Sequence, residues 1–155
     1  MPITDIAIHE SGTGGDFTLI GGDIETIKGI TNQVYLALFG GNYEQSTSAD
    51  VANQKERFDW WGNNYLAPEN QFNSSFERTI NDITLNSAGI NRLVGAAKKD
   101  LQFLSDYADI EVSGSIVGIN RFELQVILKE PDKKTTKIVF LWDGTKNEII
   151  QNEIL

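Results

Sequence analysis

Residues 121–129 read RFELQVILK, and every second residue from Phe122 to Leu128 is apolar. A period of two is typical of a β-strand that has one face on a core and the other toward water. Large apolar residues recur at the same spacing at Ile138, Phe140 and Trp142. These two segments are therefore predicted to be strands of an antiparallel sheet.

Short turn sequences flank these strands. Residues 130–133 contain Pro131, whose ring fixes φ, and Asp132, which tolerates turn geometry. Residues 118–120 are predicted to form the preceding turn, after a third strand at residues 110–112. The second half of the chain is thus predicted to be a three-stranded antiparallel sheet.

Upstream of the sheet, the apolar period changes to three or four residues. This spacing predicts helices over residues 24–39, with Asp23 as the N-cap, over residues 72–83, and over residues 87–107. Each helix has a single apolar stripe, so the helices are expected to cover one face of a mixed, mostly antiparallel sheet. The predicted class is α+β.

The chain is predicted to begin with a β-hairpin. Apolar residues at 3–8 and 17–20 flank a flexible turn at residues 11–15. Residues 12–16 resemble a phosphate-binding loop only in glycine content, because a strand rather than a helix is predicted to follow. A hairpin turn is the better interpretation.

The composition of 155 residues, 40% hydrophobic, predicts one domain over residues 1–155. Thirteen basic and 22 acidic residues give a net charge of −9, which disfavours nucleic acid and anionic membranes as partners.

The absence of cysteine excludes disulfides and thiolate metal sites, and His9 is the single histidine. No cofactor is predicted. Without an apolar run of membrane-spanning length or a basic secretory start, the protein is expected to be soluble and intracellular when made.

Two segments fall outside the predicted helices and strands. Residues 42–53 are polar and are predicted to form an exposed loop. Residues 145–155 form a tail that docks either on its own domain or on a neighbouring subunit, because four of its residues are large and aliphatic. These are Ile149, Ile150, Ile154 and Leu155.

The one basic cluster in the sequence surrounds the predicted turn at residues 130–133. It is interpreted as the solvated end of a hairpin rather than as a binding patch. Its members are Lys129, Lys133, Lys134 and Lys137.

Carboxylates in the central region suggest an enzymatic alternative. Glycoside hydrolases use a pair of Asp or Glu residues, and aromatic residues near such a pair stack on sugars. The alternative function is therefore a peptidoglycan-degrading hydrolase with Glu69 or Glu77 as the acid. A third alternative, an adaptor that binds a ligand in a groove between sheet and helices, has no sequence feature in its favour. The candidate carboxylates are Asp59, Glu69, Glu77 and Asp82.

Residues 55–66 combine two charges with a dense aromatic block. Large aromatic residues either cover one end of a core or form the anchor of a protein interface, where Trp and Arg are enriched. The interface hypothesis assigns aromatic burial to the tryptophans and charge-assisted hydrogen bonds to the charged pair. The candidate interface residues are Glu56, Arg57, Trp60 and Trp61.

Several motifs in order resemble the baseplate wedge proteins of contractile phage tails, in the Mu-like branch related to the gene-25-like "tail lysozyme" group. The motifs are residues 16–19 with 22–24, Gly29 with residues 34–39, Glu56 and Arg57 with residues 60–62, the helix leading to residues 110–112, the strand at 122–128, and residues 140–143.

The resemblance implies a non-enzymatic structural subunit, present in several copies in the baseplate. It would bind other wedge proteins, with sheath and hub or spike proteins as further partners, and would support assembly of the sheath. Such a subunit is made in the host cytoplasm and becomes part of the virion tail. Similar folds occur in tailocins and in type VI secretion baseplates, and the sequence does not separate these settings.

Overall fold

The computed structural model describes residues 4–10, 15–17, 19–41, 61–131, 133–146 and 148–155. Within these residues, three helices and an antiparallel sheet establish the predicted α+β class. Six short strands precede the first helix. They are β1 (Thr4–Ile6), β2 (Ile8–Glu10), β3 (Gly15–Phe17), β4 (Leu19–Ile20), β5 (Asp23–Ile24) and β6 (Thr26–Lys28).

These six strands form three antiparallel pairs, which together make up the N-terminal arm, residues 4–28. β2 pairs with β3, so the predicted hairpin is confirmed. β1 pairs with β6, and β4 pairs with β5. Asn32 attaches the arm to the first helix, because its side chain accepts a hydrogen bond from the Ile8 backbone N–H at 3.2 Å and donates one to the Ile6 carbonyl.

The prediction that the first helix begins at residue 24 is wrong. The helix α1 spans Thr31–Phe39, and residues 23–24 and 26–28 are strands instead. Pairing of β6 with β1 stabilises the extended form, and the β-branched Ile27 suits it. Gly29 then has φ of +94°, which breaks the strand before the helix begins. Asp23 lies in β5, well before α1 begins, so it is not the N-cap of the helix. Its carboxylate accepts instead from the adjacent Ile24 N–H.

The other two helices lie close to their predicted positions. α2 spans Ser75–Asp82, and the Ser74 side chain caps it by accepting from the Glu77 N–H at 2.9 Å. α3 spans Ser87–Asp100 and is capped by Asn86. A 3-10 turn, Gln102–Asp106, continues α3 and accounts for the longer helix that the periodicity predicted.

The sheet contains four strands in the order β10-β9-β8-β7, and every neighbouring pair is antiparallel. The predicted mixed sheet is therefore purely antiparallel over the described residues. The tail docks on its own domain, where β10 pairs with β9. The predicted loop at residues 42–53 lies outside the described residues. The strands are β7 (Asp109–Gly118), β8 (Arg121–Lys129), β9 (Thr136–Asp143) and β10 (Glu148–Ile154).

A group of phenylalanine rings joins the helices to the sheet. Phe39 of α1 contacts Phe76 of α2 at 5.5 Å between ring centroids and Phe140 of β9 at 5.3 Å. Phe76 also contacts Phe122 of β8 at 6.1 Å. Full burial of one such side chain contributes about 1.5–3 kcal/mol. The core therefore lies between the helices and the face of the sheet that the alternating apolar residues form.

At one end of the sheet, two turns are joined by hydrogen bonds. The Gly144 N–H donates to the Asn120 carbonyl at 2.7 Å. The buried Asp143 carboxylate accepts from Arg121 Nε and from the Thr145 N–H, each at 2.9 Å. Burial raises the pKa of Asp143, but the hydrogen bonds outweigh this effect and hold its pKa below the ordinary value.

At the opposite end of the sheet, residues 130–133 form the predicted turn. The Lys133 N–H donates to the Glu130 carbonyl at 3.3 Å. Side-chain ion pairs join Lys133 to Glu130 and Lys129 to Glu111. Half of the basic cluster is thus paired with acidic residues.

Candidate protein interface

The structure describes only part of the predicted interface. Glu56, Arg57 and Trp60 lie outside the described residues, so their predicted role stays a prediction. Trp61 is the first residue of a 3-10 turn, Trp61–Tyr65, whose backbone the structure describes. The described part of the predicted interface therefore begins at Trp61.

Asn63 fixes the backbone of this turn. Asn63 is only 1% exposed. The amide nitrogen donates to the Phe72 carbonyl at 2.9 Å and to the Gly40 carbonyl at 3.5 Å, and the amide oxygen accepts from the Phe72 N–H at 2.9 Å. One buried side chain thus joins the turn to the end of α1 and to the segment before α2.

Gln71 adds a second connection. Its side-chain nitrogen donates to the Asn63 carbonyl at 2.9 Å and to the Leu66 carbonyl at 3.4 Å. Buried backbone groups require such partners, because an unpaired one costs about 1–3 kcal/mol. Residues 61–72 are called the anchored turn below, because these two amides hold both of its ends together.

Gly40 allows the anchored turn to approach α1. A Cβ atom at this position would lie 2.2 Å from the Leu36 carbonyl oxygen and 3.2 Å from the Phe72 Cβ. The Phe72 ring also contacts Phe103, at 6.1 Å between centroids. A side chain at position 40 would therefore displace either α1 or the anchored turn.

Tyr65 lies at the outer side of the anchored turn and is 83% exposed. Tyrosine is enriched in protein interfaces, where its ring contributes area and its hydroxyl a hydrogen bond. The anchored turn therefore presents an aromatic side chain from a fixed backbone.

Sequence reasoning missed Asn63 and Gln71, although both lie in or near the aromatic segment. Their partners are backbone groups of Gly40, Leu66 and Phe72, and no side-chain pattern marks a backbone group as a partner. The available signal was the presence of amide residues in a segment without helical or strand periodicity, where backbone groups need side-chain partners.

The carboxylates of the hydrolase alternative are dispersed where the structure describes them. Glu77 lies in the first turn of α2 and Asp82 is the last residue of that helix. Five residues along a helix correspond to a rotation of about 140°, so these two residues lie on different faces. Glu69 lies on a separate short 3-10 turn, Pro68–Asn70, and Asp59 lies outside the described residues.

A groove of about 470 Å³ lies between the end of α3 and β7. Its lining combines apolar with polar side chains and includes Lys98, Leu101, Gln102, Ser105, Asp109 and Ile110. Among the described residues, no three His, Cys, Asp or Glu side chains are grouped so as to hold a metal ion. None of the helices in the described ranges has the length and apolarity to cross a membrane.

Comparison with family models, with curated proteins and with solved structures finds no match for this chain.

Proposed function

We propose that this chain is a structural subunit of the baseplate of a contractile phage tail, or of a related injection machine. It binds other wedge proteins and supports assembly of the sheath. The proposal joins the order of sequence motifs to one structural observation, the anchored turn that directly continues the aromatic block. This role places the protein in the host cytoplasm during assembly and in the tail baseplate afterwards.

The anchored turn supports a binding role for a thermodynamic reason. A segment that is already ordered loses less conformational entropy when a partner binds, so more of the contact energy appears as affinity. Asn63 and Gln71 order the backbone immediately after Trp61. Tyr65 is exposed on the same turn. The backbone from Trp61 onward is thus held at a defined position next to the end of α1.

The predicted interface residues have two different roles in binding a partner. Trp60 and Trp61 contribute apolar area at the centre of the interface. Glu56 and Arg57 set its geometry through charge-assisted hydrogen bonds to the partner. Loss of a central aromatic residue is expected to weaken binding more than loss of a charge at the margin.

The test is co-purification of the tagged subunit from producing cells, with electron microscopy of tails made without it. Expected results are recovery of wedge proteins and the absence of sheathed tails. Trp61→Ala and Arg57→Ala should lose both recovery and complementation while remaining folded by circular dichroism. Ile119→Ser is the matched control, because Ile119 is 93% exposed on the turn between β7 and β8.

Normal tails without the subunit would contradict the baseplate role. The hydrolase alternative predicts a different result, namely release of reducing sugar from peptidoglycan by the purified protein. That release would be lost in Glu69→Gln or Glu77→Gln, since each removes a candidate acid.

A further inference from the structure

The N-terminal arm lies close to one edge of the sheet. β10 is an outer strand, which β9 pairs on one side. An edge strand presents unpaired N–H and C=O groups, with which another chain can pair. Cα atoms of β2 lie within 8 Å of Cα atoms of β10. Stacked sheets are about 10 Å apart, so this separation favours a position of β2 beside β10 rather than over its face.

One buried amide attaches β2 to the first helix. Asn32 of α1 is 3% exposed. Its side chain accepts a hydrogen bond from the Ile8 N–H at 3.2 Å and donates one to the Ile6 carbonyl. The Ile8 side chain is half-buried and packs against the core. These contacts hold the arm against the rest of the protein at residues 6–8.

The junction between the arm and α1 lies at Gly29. Its φ of +94° is a value that glycine adopts readily and other residues do not. A Cβ atom at this position would lie 2.9 Å from Glu130 Oε1. The Glu130 side chain is half-buried and forms an ion pair with Lys133. The turn at residues 130–133 thus packs against the junction, and glycine leaves the backbone free to rotate there.

The remainder of the arm contributes little to its attachment. The arm strands have two or three residues each, and Phe17, Leu19 and Ile20 are more than half exposed. Short isolated pairs of strands are marginally stable in water. The free energy of opening the arm should therefore be well below that of unfolding the sheet.

We propose that the N-terminal arm is a strap that closes the β10 edge of the sheet and opens about Gly29. In the closed position, β2 keeps the outward-facing N–H and C=O groups of β10 from other chains. In the open position the sheet stays intact, and the same groups are available for strand pairing. Asn32 sets the population of the open position, because its two hydrogen bonds to the arm exist only when the strap is closed.

The test is hydrogen exchange of the purified 155-residue chain, followed by NMR at single amides. In an antiparallel strand, amides that bond to the neighbour alternate with amides that face away. Asn32→Ala should speed exchange of the outward-facing amides of β10 and of the paired amides of the arm by the same factor, about tenfold, because one opening exposes both groups. Amides that bond β10 to β9, and those of β8, should not change.

Gly29→Ala tests the junction separately. The added Cβ meets the Glu130 carboxylate and is strained at positive φ, so the open position should be favoured. The same two groups of amides should exchange faster, again by about tenfold. Gly95→Ala is the matched control, because Gly95 is exposed on α3 and its Cβ would meet nothing within 4 Å. Asn81→Ala, at an exposed position of α2, is the control for Asn32→Ala.

Faster exchange in the arm alone would overturn the proposal, since β2 would then not cover the β10 edge. No change in either group in Asn32→Ala would also overturn it, as would an equal rise over β8, because the arm and the sheet would then open together. Circular dichroism checks that each variant is folded. The proposal does not depend on the baseplate role. Purified protein tests the strap, whereas electron microscopy of tails tests the proposed function, so failure of one is distinguishable from failure of the other.

Discussion

The sheet with its helices and the N-terminal arm use the same kinds of apolar residue in opposite ways. In β8, Phe122, Leu124, Val126 and Leu128 are all buried under the helices. The large apolar residues described in the arm are 40% or more exposed, except the half-buried Ile8 and Ile27. The difference lies in the length of the strands and in the elements that cover them. β8 has nine residues and paired neighbours on both sides, while the arm strands have two or three residues in isolated pairs. Such short pairs contribute little stability on their own, so we assign most of the stability to the sheet and its helices.

The largest expected effect is the loss of a core ring. Phe76→Ala should lower the free energy of unfolding by about 3–5 kcal/mol, because Phe76 is fully buried against Phe39 and Phe122. Denaturant unfolding measures this change. Phe17→Ala in the arm is the matched control and should cost less than about 1 kcal/mol. Equal losses in the two variants would break the division between sheet and arm.

The anchored turn should show an intermediate effect. Asn63→Ala removes the partner of the Phe72 N–H and of two carbonyls, so it should lower the free energy of unfolding by about 1–3 kcal/mol. Asn81→Ala, at an exposed position of α2, is the control and should change stability by less than about 0.5 kcal/mol. If Asn63→Ala were as mild as its control, the turn would not be held by these hydrogen bonds.

A smaller effect should appear as a dependence on pH. The folded-state pKa of Asp143 lies below its ordinary value of 3.8, so its carboxylate stabilises the fold above that pH. The contribution is lost as the pH falls through the lowered pKa. Asp143→Asn should therefore be less stable than the parent at neutral pH, with a smaller difference in acid. Asp106→Asn, at an exposed position of the 3-10 turn, is the control and should change the free energy of unfolding at neutral pH by less than about 0.5 kcal/mol. A constant difference for Asp143→Asn across this range would contradict the assignment.

The smallest expected change in stability is that of the arm tip. Ile20→Ser replaces a side chain that is mostly exposed, so the free energy of unfolding should change by less than about 0.5 kcal/mol. A loss of stability above about 1 kcal/mol would show that the tip packs in the core and would remove the contrast.

The sheet and the later helices could be predicted because their apolar residues follow a local period. Apolar residues recur at every second position over residues 122–128, and Phe76 and Ile80 lie one helical turn apart. A local period is decisive when one face of an element is buried along its whole length. The turn at residues 130–133 was equally predictable, because Pro131 restricts the backbone by itself.

The parts that could not be predicted depend on partners far away in the sequence. Ile24, Ile27 and Ile30 have helical spacing, yet β6 is a strand because Thr4–Ile6 pairs with it. β10 likewise requires β9 as its partner. In the candidate interface, the anchored turn depends on amide contacts to backbone groups up to 23 residues away. Composition and period contain no information about such pairings.

The order of the strands also has a consequence for folding. In the sheet each strand pairs with the next one along the chain, so its hairpins require only short loop closures and should form early. The arm is synthesised before the sheet, but β2 contacts β10, which is made more than a hundred residues later. The apolar residues of the arm therefore stay exposed to water until the sheet has formed. The arm is thus expected to reach its final position after the sheet, although it precedes the sheet in the chain.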